Sequence, residues 1–75
     1  MQTKRQFTAI IEREENMYVA LCAELDIASQ GETVEKARKN LKEAIKLFFE
    51  EASQEEIKER LHDEVFVTRL EVAVG

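Results

Sequence analysis

One stretch of the sequence constrains the fold more than any other. Within residues 33–52 the apolar side chains recur at spacings of three and four, which predicts an amphipathic helix about 30 Å long. The apolar positions are Val34, Ala37, Leu41, Ala44, Ile45, Phe48, Phe49 and Ala52. One such helix covers only one face of a sheet.

Segments on both sides of this helix have the character of strands. Residues 6–13 alternate in polarity, with Phe7, Ala9 and Ile11 on one face, and residues 17–23 are apolar on both sides. Residues 14–16 suit a hairpin turn, and residues 25–30 suggest a third, shorter strand. Ser53 and Glu56 predict a capping box that starts a short second helix, and the valine-rich residues 65–74 predict a last strand.

These elements predict a single α+β domain over residues 1–75, in the order β-β-β-α-(short α)-β. We expect a four-stranded mixed sheet with the one long helix on one face and the last strand parallel to the first and third. A chain of 75 residues buries a marginal core, and its single cysteine forms no intrachain disulfide. We therefore expect the uncovered face and edges to be buried in a homodimer or higher oligomer.

The only internal glycine lies in residues 29–35, which read SQGETVE. Gly31 can take the positive φ that some corners require, and Thr33 can accept a hydrogen bond from the first helical turn. Glu32 and Glu35 suit the positive end of the helix dipole but would repel a bound anion. Because a phosphate cradle would also need several glycines, the pattern favours a structural corner at Gly31 and Thr33 over an anion site.

The overall charge indicates the kind of partner. The net charge is -5 and the sequence pI is near 4.9. Such a surface is repelled by phosphate backbones, so we expect no direct nucleic-acid binding and mildly favour a basic protein partner. Since no apolar run resembles a signal peptide or a membrane span, we expect a cytoplasmic protein with no membrane partner.

The titratable residues do not suggest an enzyme. Glu24 and Asp26 flank a turn and could form at most one weak cation site, and turn carboxylates without that role are favoured. Cys22 lies among apolar neighbours, where burial would raise its pKa and lower its reactivity. His62 suits a structural position near a helix end. We expect no catalytic residues, no metal site and no cofactor.

The centre of the chain resembles a known family. Residues 18–33 (YVALCAELDIASQGET), followed by Glu35, Ala37, Asn40, Leu41, Glu43 and Ala44, resemble the HicB-like antitoxin family. The resemblance covers residues 5–52. Many members have proline where Ala23 stands. Full-length antitoxins of this type add a C-terminal DNA-binding domain, whereas this sequence stops at Gly75, so we expect that domain to be absent.

The resemblance implies a fold and a function. It implies a partial, degenerate ribonuclease H-like domain that acts as the antitoxin of a type II toxin-antitoxin system. Such a domain binds and masks a small basic mRNA-cleaving toxin and is not itself catalytic. The residues expected to bind the partner are Tyr18, Glu24, Asp26, Gln30 and Glu32. Two alternatives stay open: a vestigial or functional metal-dependent nuclease, and a dimeric assembly module without a toxin.

Overall fold

Three antiparallel strands followed by two helices make up the computed structural model, which describes residues 4–75. The elements are β1 (Ala9–Glu14), β2 (Met17–Cys22), β3 (Ile27–Gly31), α1 (Val34–Glu51) and α2 (Gln54–Arg60). The sheet order is β1-β2-β3. The expectation of no signal peptide, and the first residues of the predicted domain, involve residues 1–3, which lie outside the described residues.

The strand register confirms which side chains face the long helix. In the β1–β2 hairpin Ile11 is opposite Ala20 and Ala9 is opposite Cys22, and in the β2–β3 pair Cys22 is opposite Ile27. Paired residues share a face of the sheet, so these side chains lie together under α1. Ala9 and Ile11 share one face, as their alternation predicts, although β1 begins at residue 9 rather than residue 6.

The core is small and is built around the central strand. Ala20, Cys22, Leu25, Ala37 and Leu41 are its buried members. Leu25 lies in the turn between β2 and β3 rather than in the predicted third strand, which begins at Ile27. A core of mostly small side chains lets α1 approach the sheet closely but buries little apolar area.

Both helix starts are capped as the sequence predicts. The Thr33 hydroxyl accepts a hydrogen bond from the Lys36 amide at 3.0 Å. Ser53 and Glu56 form a reciprocal capping box at the start of α2. Neither of these two described helices combines the length and the apolar character that a membrane span requires.

Gly31 is required for a different reason from the predicted one. It does not have a positive φ. A Cβ atom at this position would lie 2.5 Å from the Ala37 backbone nitrogen and 2.7 Å from the Lys36 carbonyl carbon. Gly31 is therefore needed because the first turn of α1 passes directly over it, and its conformation would suit any residue.

The predicted four-stranded mixed sheet is wrong for the described chain, which has a three-stranded antiparallel sheet. Residues 64–75, here called the 64–75 segment, form neither helix nor strand. Phe66 is 82% exposed and Leu70 is 85% exposed. Valine and other β-branched residues favour an extended backbone, but a strand forms only where a neighbour pairs with it. The segment has the composition of a strand without that pairing.

Replacing Gly31 by alanine tests the close helix contact. We expect Gly31→Ala to lower the free energy of unfolding by about 1–3 kcal/mol, because the new methyl group meets backbone rather than a side chain that can move aside. Urea denaturation measures the change. Gly75→Ala is the matched control, since nothing lies within 4 Å of its Cβ position. Equal stability of the two variants would contradict this account.

Candidate functional site

The face of the sheet opposite α1, here called the open face, is the main uncovered surface of the strands. The register places Val19 opposite both Glu12 and Gln30 on this side. In the next row Leu21 is opposite both Ile10 and Ala28. Ile10, Val19 and Leu21 are half-buried by their neighbours in the sheet. The face therefore presents an apolar row at its centre.

Carboxylates border the apolar row at the hairpin end. Glu14 is opposite Met17 on the open face, one row beyond Glu12. A shallow depression here is lined by Glu14, Glu15, Asn16, Met17, Val19 and Gln30. Among the strand residues that face this side there is no lysine or arginine. An apolar centre with an acidic border suits a partner surface that is apolar and basic.

The structure separates the residues expected to bind a partner. Tyr18 is opposite Gly31, on the side of α1, whereas Gln30 is on the open face. Glu32 is exposed beside the corner and lies 3.8 Å from Lys36 in an ion pair. Of the five predicted residues, only Gln30 belongs to the open face, so the set does not form one surface.

Glu24 is held inside the chain by three donors. Its carboxylate accepts hydrogen bonds from the Thr8 amide at 2.8 Å and from the Thr8 hydroxyl at 2.6 Å. The Cys22 thiol lies 3.7 Å from the same carboxylate. Partial burial works to raise the pKa of Glu24, but the hydrogen bonds from Thr8 outweigh it and hold that pKa below its ordinary value. Glu24 thus fastens the residues before β1 to the β2–β3 turn.

Residues of α2 and just after it hold the other side of this turn through hydrogen bonds. The Arg60 guanidinium donates to the backbone carbonyls of Leu25 at 3.1 Å and Asp26 at 3.4 Å. The His62 amide donates to the Glu24 carbonyl at 2.7 Å. Asp26 has a φ of 56°, a conformation that aspartate tolerates better than most residues. Glu24 and Asp26 therefore border a turn whose backbone is fixed by the second helix.

The reactive side chains show no catalytic arrangement in the part of the chain that is described. Cys22 is fully buried, and this burial raises the pKa of its thiol. His62 follows α2 and is exposed. Over residues 4–75 no three His, Cys, Asp or Glu side chains group closely enough to hold a metal ion.

Sequence reasoning missed the residues that give the open face its character. Ile10, Glu12 and Glu14 occupy alternate positions of β1, and Val19 and Leu21 occupy alternate positions of β2. The signal was present, because residues 17–23 are apolar on both sides and a strand of that kind must be covered twice. The alternation of β1 then identifies which of its residues share the second side.

The depressed pKa of Glu24 predicts a pH dependence of stability. A carboxylate whose pKa is lowered by folding stabilises the protein fully above its unfolded pKa, and this contribution is lost as the pH falls through the lower folded value. We expect Glu24→Gln to lower the free energy of unfolding by about 1–2 kcal/mol at neutral pH. The difference from the unmodified protein should shrink in acid. Urea denaturation across a pH series measures it.

A matched control is Glu59→Gln on the exposed surface of α2. It removes the same charge without a comparable hydrogen-bond network, so the free energy of unfolding should change by less than about 0.5 kcal/mol. A gap between Glu24→Gln and the unmodified protein that stays constant from neutral to acid pH would contradict the role assigned to the charged carboxylate.

Comparison with known proteins identifies no relative. No family model, curated protein or solved structure matches this chain. The functional inference therefore depends on the residues and geometry described above.

Proposed function

We propose that this chain is a non-catalytic domain that binds a small basic protein on the open face of its sheet. The observation that carries this function is the uncovered apolar row of Ile10, Val19 and Leu21 with Glu12 and Glu14 beside it. An apolar row gains free energy when it is covered, and the neighbouring carboxylates favour a cover that is basic.

The proposed partner is a small mRNA-cleaving toxin, which this domain neutralises as an antitoxin. The central motif that resembles HicB-like antitoxins supports this choice. Ribonucleases that grip RNA have basic surfaces, and an acidic protein competes with RNA for such a surface. Because the partner would act on mRNA, we place both proteins in the cytoplasm. Catalysis belongs to the partner in this scheme.

A charge reversal in the centre of the open face tests the proposed surface. The probe is a short basic protein encoded by a reading frame beside this one, purified separately and assayed for RNA cleavage. We expect the unmodified chain to form a complex with it and to inhibit cleavage. Glu12→Lys places a like charge in the interface and should raise the Kd at least about tenfold, as measured by isothermal titration calorimetry.

The matched control is Glu59→Lys, which makes the same change of charge on the exposed surface of α2. It should leave the Kd within about twofold, because an exposed charge away from the interface acts only through screened long-range attraction. Equal weakening by both variants would show that net charge alone drives binding and would contradict the open face as the site. Unimpeded cleavage with no complex, or a neighbouring frame that encodes no basic protein, would reject the antitoxin function.

A further inference from the structure

The 64–75 segment is the largest exposed apolar feature of the described chain. Its even-numbered positions are mostly apolar: Phe66, Leu70, Val72 and Val74 are between 68% and 90% exposed. Thr68 is the polar member of this row, and the charged Arg69 and Glu71 occupy odd positions. In an extended backbone Phe66, Leu70, Val72 and Val74 share one side, and Val65, Val67 and Ala73 add apolar side chains to the other side.

The segment extends away from the rest of the molecule. The radius of gyration is 14.5 Å, whereas a compact domain of this length has a value of about 11 Å. The longest dimension is 51 Å and the shortest is 19 Å. Soluble chains rarely leave a continuous apolar row of this size uncovered, so the segment has the character of an interface.

A groove on the molecule matches the segment in shape and chemistry. It has a volume of about 630 Å³ and lies between α1 and the residues leading into β1. Phe7, Ala9, Leu41 and Ile45 supply its apolar lining. The groove is bordered by residues 5–9, of which only Ala9 belongs to β1, and the outer edge of β1 pairs with no other strand among the described residues.

The charges of the groove and the segment are opposite. Arg5, Arg38, Lys42 and Lys46 line the groove, and its other lining residues are uncharged. The 64–75 segment carries the carboxylates Glu64 and Glu71 against the single cation Arg69, and Asp63 just before it lies 3.4 Å from Arg5 of its own groove. Apolar side chains facing an apolar floor, with carboxylates beside lysines and arginines, make the two surfaces complementary.

We infer that two copies of this chain exchange their 64–75 segments, each segment lying in the groove of the other copy beside the residues that lead into β1. The segment leaves its own molecule beside the groove, since Asp63 lies 3.4 Å from Arg5. When a two-fold axis brings the exit points of two molecules together, the groove of each molecule lies within reach of the other's segment. Each chain keeps its own three-stranded sheet, and the added segment comes from the second copy.

The exchange supplies the contact through which the proposed binding domain is expected to self-associate. The inference therefore rests on the self-association in the proposed function. It does not use the open face. The groove lies on the side of α1, whereas the open face is on the other side of the sheet, so an exchanged pair keeps both open faces free for partners.

The test is a complementation between two damaged chains, followed by light scattering coupled to size exclusion. Leu70→Glu places a charge in the apolar row of the segment. The double variant Lys42→Glu with Lys46→Glu replaces two positive charges at the border of the groove by negative ones. We expect the unmodified chain to have twice the chain mass of 8.7 kDa, and each variant alone to run as a monomer. Mixed together, they should form a heterodimer, because the intact segment of the groove variant fits the intact groove of the Leu70→Glu chain.

The matched control is Leu47→Glu, which changes another exposed leucine outside the groove and should stay dimeric. Circular dichroism should show that Leu70→Glu stays folded, because Leu70 is 85% exposed within one chain. A monomeric unmodified chain, a dimeric Leu70→Glu variant, or monomers in the mixture would each overturn the exchange. The last result would indicate that the segment closes on its own groove. A Leu70→Glu monomer that still binds the basic partner separates failure of dimerisation from failure of the proposed function.

Discussion

The close contact between α1 and the sheet is the constraint from which the other features follow. Gly31 has no side chain, so backbone atoms of the first turn of the helix lie within 3 Å of the position that a Cβ atom would occupy. Ala37 and Leu41 of the helix then pack with the buried Ala20 and Cys22. A helix set this close covers β3 and β2 more fully than β1, whose Ala9 stays exposed, and it can cover only that side of the sheet. The opposite face and both outer edges of the sheet are left to other contacts. The binding surfaces proposed for this protein are thus consequences of how its one long helix is placed.

A second set of contacts that holds the fold together consists of hydrogen bonds at the β2–β3 turn. Glu24 holds Thr8 on one side through its carboxylate, and its backbone carbonyl receives the His62 amide on the other. Arg60 completes the contact by binding the carbonyls of Leu25 and Asp26. Residues near both ends of the described chain are thereby brought to one turn. Because His62 is fixed, the chain leaves the domain at a defined point beside Arg5 and the groove.

The parts of the fold that local chemistry determines could be predicted from the sequence. Helical spacing identified α1, the side chains of Thr33 and Ser53 identified the helix starts, and alternation identified which residues of β1 share a face. The prediction for residues 65–74 was wrong because a preference for extended backbone does not say which strand, if any, pairs with it. Gly31 was correctly identified as a corner residue. One sequence does not reveal whether a glycine is needed for a positive φ or because a side chain would collide with a neighbouring element. The predicted partner residues were drawn from one continuous stretch, and adjacent strand residues such as Gln30 and Gly31 point to opposite faces.

Placing the acidic and basic surfaces on opposite sides of one small domain has a physical consequence for assembly. The groove beside α1 is lined by Arg5, Arg38, Lys42 and Lys46, whereas the open face has Glu12 and Glu14. If both kinds of charge shared one face, copies of this chain would compete with a basic partner for the same carboxylates. In the proposed scheme the sheet separates the two sites, with the basic groove taking the 64–75 segment of another copy and the open face taking a basic protein. Self-association and partner binding can then be satisfied together, and occupying the groove also covers the apolar side chains of Phe7 and Ala9 that line it.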